Sequence, residues 1–393
     1  MLRVNMPSAK RAERILLLVT QADWGGVQQF LVRFADALQR EGRTVLLAAG
    51  GEGELWNAAK EKNIPTHRLT HVVREINPLE DWRAVGEIKK LIDDFTPDAI
   101  HLNSSKMGVI GSFAAARSKT KPWVVYRIGG WAFLEPIPEW KQRVYLAAEQ
   151  RSASKKDVII TVHPGDATLG EKLHITPRGW MTAVPNGLDV AEFVSQLHTR
   201  NDARAAIGLP EHAFVFGTVA NAYATKALLP YLDVVAKELE HDANAFAVIL
   251  GDGPEFEALK AKRDTFAVRH RIILTGHRDD ATRLYAAFDV FVLPSKKEGM
   301  PWTLLEAMAA GIPIVATNVG ACRWMLEDAT RGNAGRIVPA GDPQSLSAAL
   351  EELRTNPELR QAFRDAGQRA SMQRFSWTET LRGNTGALDE LKP

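Results

Sequence analysis

The stretch PSKKEGMPWTLLEAMAAGIPIVAT, residues 294–317, sets two carboxylates, Glu298 and Glu306, around a loop that turns into a helix. On either side, VFVLP (290–294) and IPIVAT (312–317) are short apolar runs that read as buried strands. Pro301 suits the first helical turn, where its missing N–H costs nothing, and Gly311 suits the stop. The spacing therefore predicts a helix over 301–310, with Glu298 just ahead of it and Glu306 inside. A helix start offers free N–H groups and a positive dipole end, which suits phosphate. A carboxylate accepts two hydrogen bonds at once, which suits a pair of sugar hydroxyls. These residues alone leave a second reading open, in which Glu298 is a dipole partner worth about 0.3–1 kcal/mol and Glu306 a surface residue.

Outward from this stretch, apolar strands alternate with amphipathic helices. RILLLVT (14–20), TVLLAAG (44–50), DAIHLN (98–103), WVVYRI (123–128) and DVIITV (157–162) form one series of strands, with MTAVPNGLD (181–189) after it. FVFGTVA (214–220), AFAVILGDG (245–253), RIILTG (271–276), 290–294 and 312–317 form a second. Helical spacing is clear over 27–42, 228–240 and 343–356. The more polar 191–212, ending in Gly-Leu-Pro, reads as a passage between domains. The expected fold is α/β, with two doubly wound parallel-sheet domains and ligands at the C-terminal ends of the strands.

Composition narrows the function. Lys plus Arg total 49 against 47 Asp plus Glu, a balance that argues against a nucleic-acid partner. The single cysteine, Cys322, rules out an internal disulfide and reads as a small buried hydrophobe in a reducing compartment. At the N-terminus, basic residues precede ILLLV, a run too short for a signal segment or a membrane span. A cytoplasmic setting is expected.

EGMPWTLLEAMAAGIPIVAT resembles the E-x7-E signature of family-4 retaining glycosyltransferases of the GT-B fold. TGHRDDATRLYAAFDVFVLPSKKEGMPWTLLEAMAAGIPIVATNVG (275–320) is similar to that family almost throughout. WGGVQQFLVRFADALQREG (24–42) resembles its N-terminal diphosphate loop and helix, and VPNGLD (184–189) its segment before the domain crossing. FSWTETLRGNTGALDELK (375–392) resembles its last helix, which packs back on the N-terminal domain. The resemblance implies two Rossmann-like domains facing across a cleft: 1–190 with 375–393 for the acceptor, and 191–374 for the nucleotide sugar. It implies a hexose moved from a UDP- or GDP-sugar to a glycan or lipid-linked acceptor, in cell-surface polysaccharide or lipopolysaccharide synthesis.

The same resemblance assigns residues. Glu306 would bind the donor ribose, Glu298 the donor sugar, and the backbone of Gly299 and Met300 the sugar and phosphate. TGHRDD would place His277 or Arg278 at the base. Gly25 and Gly26 would let backbone approach the diphosphate. The family's basic pair, R-x4-K, falls on VANAYATKA (219–227) with Lys226 at the lysine and Asn221 at the arginine, so leaving-group charge leans on Lys226. Glu298 and Lys226 are the expected catalytic pair. Two further departures concern the acceptor side. Gly129 stands where the family has a histidine, followed by Gly130 and Trp131; HLNSSKMG keeps His101 but has Asn103 for a second histidine. His101 in a buried strand reads by default as a satisfied core histidine.

Retaining enzymes of this fold are thought to use front-face displacement without a protein nucleophile. The chain has no D-x-D pair and no His/Cys cluster, so neither a metal nor any other cofactor is expected. The segment 129–156 mixes Trp131, Phe133 and Trp140 with Lys141, Arg143, Arg151, Lys155 and Lys156, diluted by Glu135, Glu139 and Glu149. It suggests peripheral contact at the inner face of the cell membrane, against ordinary helix surface as the alternative. Two other functions compete: a nucleotide-sugar epimerase, which lacks a convincing acid/base set here, and a non-catalytic nucleotide-sugar-binding homologue, suggested by Gly129 and Asn221. A dinucleotide oxidoreductase is disfavoured because no G-x-G-x-x-G follows the first strand.

Overall fold

The computed structural model describes residues 11–330 and 332–389. The first ten residues, part of the N-terminal reading above, and residues 390–392 of the C-terminal stretch lie outside the described residues. The chain divides into two units, 1–185 with 379–393, and 186–378.

The first unit holds a seven-stranded sheet: β1 Arg14–Gln21, β2 Thr44–Gly50, β3 Thr66–Leu69, β4 Ala99–Asn103, β5 Trp123–Ile128, β6 Val158–Thr161 and β7 Trp180–Ala183. The order is β3-β2-β1-β4-β5-β6-β7, and every pairing is parallel. Central strands such as β1 and β4 are continuous apolar runs because both their faces are covered. Their core packs Leu16, Leu18, Ile100 and Leu102 with Ile88, Ile92 and Met107.

The second unit holds six parallel strands: β8 Phe214–Val219, β9 Ala245–Leu250, β10 Ile272–Leu274, β11 Val290–Leu293, β12 Ile314–Thr317 and β13 Gly335–Val338. Their order is β10-β9-β8-β11-β12-β13. In both sheets the order reverses once, between β1 and β4 and between β8 and β11. Such a reversal leaves a crevice outside the C-terminal strand ends, where ligands bind in open α/β sheets.

Residues 191–212, read from the sequence as a passage leading into the second domain, lie within the second unit. They contain helices Val190–Gln196 and Arg200–Ala205, capped by Asp189 and Thr199 and belonging to the second unit. Arg204, buried, donates to the Ala287 carbonyl and to Asp289 at 2.9 Å, which fixes this segment to the sheet. The units separate at 185/186 and 378/379, rather than at 190/191 and 374/375. Asn186 and Leu188 go with the second unit because Asn186 bonds Met300 and Leu188 bridges to Ser376.

The helix Trp377–Asp389 enters the first unit's core through polar contacts. Asn384 Oδ1 accepts from His101 Nε2 at 3.2 Å, Trp123 Nε1 donates to the Ala387 carbonyl, and Asp389 pairs twice with Arg43. Asn384 is fully buried, so losing its side chain strands polar groups without water. Asn384→Ala is expected to lower unfolding stability by about 1–3 kcal/mol, read by urea denaturation. An unchanged midpoint would show that the helix is held otherwise.

Candidate functional site

β8 and β11, neighbours at the reversal in the second sheet, each end in a loop, and one charged side chain from each meets the other. After β8 the chain runs to a 3-10 turn at Ala224–Lys226, and Ala227 adopts a left-handed conformation before helix Leu228–His241. After β11 it runs through Ser295 to Glu298. Lys226 Nζ meets Glu298 Oε1 at 2.7 Å, and the Ser295 hydroxyl donates to the same oxygen at 2.6 Å. Glu298's side chain is 8% exposed and Lys226's 25%, so the pair sits at the rim of the protein interior. A carboxylate so desolvated needs a charged or hydrogen-bonding partner, and here it has both. The Lys296 amide donates to the Thr225 carbonyl at 2.7 Å, tying the two loops together through backbone as well.

The helix follows at Trp302–Ala309, with Pro301 at its N-cap, and Gly311, left-handed, ends it. Met300 is buried, and its carbonyl accepts from Asn186 Nδ2 at 2.9 Å. Gly299's carbonyl accepts from the Ala321 amide at 2.8 Å. The loop is closely backed by Gly320, whose φ is +50°; a Cβ there would lie 2.3 Å from the Glu298 carbonyl oxygen and 2.4 Å from that of Gly299. Only glycine fits this approach. Cys322, buried beneath, has its thiol pKa pushed up by desolvation and by the Glu298 charge.

Glu306 is 7% exposed, and Tyr285 donates to its Oε2 at 2.6 Å. Burial pushes the Glu306 carboxyl above its usual pKa, and the Tyr285 hydrogen bond acts against that rise. Both carboxylates are thus held by the fold, one by a cation and one by a phenol.

The other residues expected at the donor divide. Asn221 is exposed on the loop after β8. That loop is shaped by the Gly251–Gly253 turn after β9: a Cβ on Gly251 would lie 2.2 Å from the Ala220 carbonyl oxygen. Arg278 is paired through Nε and Nη2 with Asp280, both at 2.7 Å, which raises the arginine pKa and lowers the aspartate's. His277 is exposed beside Asp279.

In the first unit, Gly25 caps helix Gly26–Arg40 with extended backbone and no side-chain cap. Its φ of −174° suits any residue, so conformation does not demand glycine there. His101 and Asn103 are buried and bonded to each other at 3.0 Å, with Phe34's ring 5.3 Å from the His101 ring. Burial, aided by the Arg127 charge, lowers the His101 pKa to about 3, so this is a neutral core histidine. Trp131 is also core: fully buried, stacked on Phe133 and donating to the Asp166 carbonyl at 2.9 Å. Gly129 alone of these four is exposed, and a Cβ there would meet nothing within 4 Å.

The mixed segment 129–156 therefore splits. Trp131, Phe133 and Lys156 are interior, Lys156 being paired with buried Glu149 at 2.8 Å. Trp140 is 63% exposed, with Leu134 and Val144 also exposed and Lys141 over the Trp140 ring. Among the described residues, no helix is long and apolar enough to cross a membrane, and no group of three or more His, Cys, Asp or Glu could hold a metal ion.

Sequence reasoning missed Ser295, Tyr285 and Gly320. Ser295 lies inside the opening stretch, three residues before Glu298. Tyr285 and Gly320 reach the site only through tertiary packing.

The family of Glycosyl transferases group 1 matches residues 199–370, and the Glycosyl transferase 4-like domain matches residues 25–187. The chain is 27% identical over 329 residues to the UDP-Gal:alpha-D-GlcNAc-diphosphoundecaprenol alpha-1,3-galactosyltransferase of Escherichia coli, covering 83% of this chain and 84% of that one. It is 31% identical over 187 residues to the lipopolysaccharide core biosynthesis glycosyltransferase LpsD of Rhizobium meliloti, 48% of this chain and 52% of that one. Among solved structures, Anabaena HepE in complex with UDP-glucose superposes with a TM-score of 0.81 at 20% identity, covering 96% of this chain and 100% of that one. The fold shared with such structures is GT-B.

Gly320→Ala is expected to push the Glu298 loop outward and lower stability by about 1–3 kcal/mol, measured by chemical denaturation. Wild-type stability in that variant would contradict the packing described.

Proposed function

The chain belongs to the group 1 glycosyltransferases, and from that premise we propose that it moves a hexose, with retention, from a UDP-sugar to a lipid-linked or glycan acceptor in the synthesis of cell-surface polysaccharide or lipopolysaccharide. The observation that carries the reading is the Lys226–Glu298 pair beside the start of helix Trp302–Ala309, with Glu306 one turn inside. UDP as the donor nucleotide is supported by the names of the E. coli relative and the HepE complex, and a lipid-linked acceptor by the former.

On this reading each group has one task. Glu306 accepts the two ribose hydroxyls, and Glu298 accepts from hydroxyls of the hexose. Lys226 uses one ammonium N–H on Glu298 and keeps two for the diphosphate. As the bond from the anomeric carbon to phosphate oxygen breaks, charge grows on the leaving UDP, and Lys226 with the helix N–H groups stabilises it. The acceptor oxygen bonds the anomeric carbon on the same face, and its proton passes to the departing phosphate. No metal or protein nucleophile takes part. Arg278, committed to Asp280, serves the base region through its loop rather than as a free cation.

Gly129 leaves space in the first unit where a side chain would otherwise stand, and we assign that space to the acceptor. A lipid-linked acceptor would be met by peripheral contact from the cytoplasmic side; exposed Trp140, Leu134 and Val144 beside Lys141 suit such a surface.

The test is UDP release and product formation with a panel of UDP-hexoses and polyprenyl-diphosphate-linked sugars, with NMR of the new anomeric centre. An α-linked product from an α-linked donor is expected; an inverted centre would contradict retention. Lys226→Ala should lower kcat by about 10²–10³-fold, and near-normal turnover would remove Lys226 from the mechanism. Gly129→His should keep wild-type melting temperature and UDP affinity but lose transfer to the natural acceptor; full activity would free Gly129 of that role.

A further inference from the structure

We infer that Tyr285 is the positioning residue for nucleotide recognition: its hydroxyl fixes the Glu306 carboxylate so that the other oxygen is held ready for the ribose. The inference rests on the proposed ribose role of Glu306.

Tyr285 sits in a 3-10 turn ahead of β11, 21 residues before Glu306. Its ring is fully buried, stacked on Phe291 at 5.7 Å and edge-on to Phe193 and Phe288 at 6.0 and 5.9 Å. That aromatic cage holds the ring on three sides, so the hydroxyl has little freedom of direction. It points at Glu306 Oε2, and it is the one side chain among the described residues hydrogen-bonded to that carboxylate. Glu298, by contrast, is braced by a cation and a hydroxyl. Glu306 therefore has no counter-charge. A buried carboxylate with a single neutral partner keeps acceptor capacity in reserve, about three of its four lone-pair sites. Two ribose hydroxyls would take two of those sites.

The chemistry of the pair also favours a partner that arrives with the ligand. Burial works against the ionised form of Glu306, and Tyr285 offsets only part of this. Hydroxyl donors from a nucleoside complete the compensation, whereas a cation in place of Tyr285 would satisfy the carboxylate beforehand and weaken its demand for ribose. A phenol is thus suited to orienting the carboxylate without neutralising it. Its own proton is secure, because burial and the Glu306 charge push the Tyr285 pKa far up.

The experiment compares the affinities of UDP and 2′-deoxyUDP by calorimetry in the full chain, for wild type, Tyr285→Phe, Glu306→Ala and the double variant. Phenylalanine keeps the aromatic cage, and melting curves check folding. Tyr285→Phe should cut the preference for UDP over 2′-deoxyUDP by about fivefold, as expected for a lost hydrogen bond, while kcat at saturating donor changes little. In the Glu306→Ala background the same substitution should have no further effect. If Glu306→Ala abolishes the preference while Tyr285→Phe leaves it intact, Tyr285 is structural only and this inference is wrong. If Tyr285→Phe weakens UDP equally with or without Glu306, its effect is on folding and the inference is also wrong. If Glu306→Ala leaves the preference unchanged, the ribose reading itself fails.

Discussion

The second unit is organised around the contact between Lys226 and Glu298. Two parallel strands, neighbours only because the sheet order reverses, send out loops whose oppositely charged Lys226 and Glu298 side chains meet at 2.7 Å. Removing a carboxylate from water is costly unless a partner meets it. That requirement couples the position of one loop to the other, and the Lys296–Thr225 backbone bond repeats the coupling. Gly320 supplies the close backing without which the Glu298 loop could not sit so deep. The site is therefore a consequence of topology first and of side-chain identity second.

The two carboxylates differ in what they have left to give. Glu298 is charge-balanced by Lys226 before any ligand arrives, which on the proposed reading leaves it to hydrogen-bond a neutral sugar. Glu306 is desolvated, held only by a phenol, and short of donors. This asymmetry fits a ligand with a sugar at one end, a diphosphate in the middle and a nucleoside at the other.

Much of this was legible in the sequence, for physical reasons. Strands buried on both faces must be continuous apolar runs, which is why β1, β2, β4, β5, β8, β9, β11 and β12 could be read directly. β3 could not: Thr66–Leu69 is an edge strand with one buried residue, and its pattern is that of a loop. β13, Gly335–Val338, an edge of the second sheet, escaped because its four residues include a glycine and an arginine and form no continuous apolar run. Glu298 and Glu306 stood out by their spacing around a helix start, and Lys226 only through the family resemblance; the structure brings Lys226 and Glu298 together. Tyr285 was not, since only folding brings its hydroxyl to Glu306. Trp131 shows the limit of composition: aromatic and basic neighbours suggested a surface, yet its ring is interior because a backbone carbonyl satisfies its indole N–H.

The most direct measurement is a crystal structure of the protein with a non-hydrolysable UDP-hexose. The account predicts ribose hydroxyls on Glu306, hexose hydroxyls on Glu298, and the diphosphate within reach of Lys226 Nζ. A nucleotide sugar bound with both carboxylates untouched would contradict it.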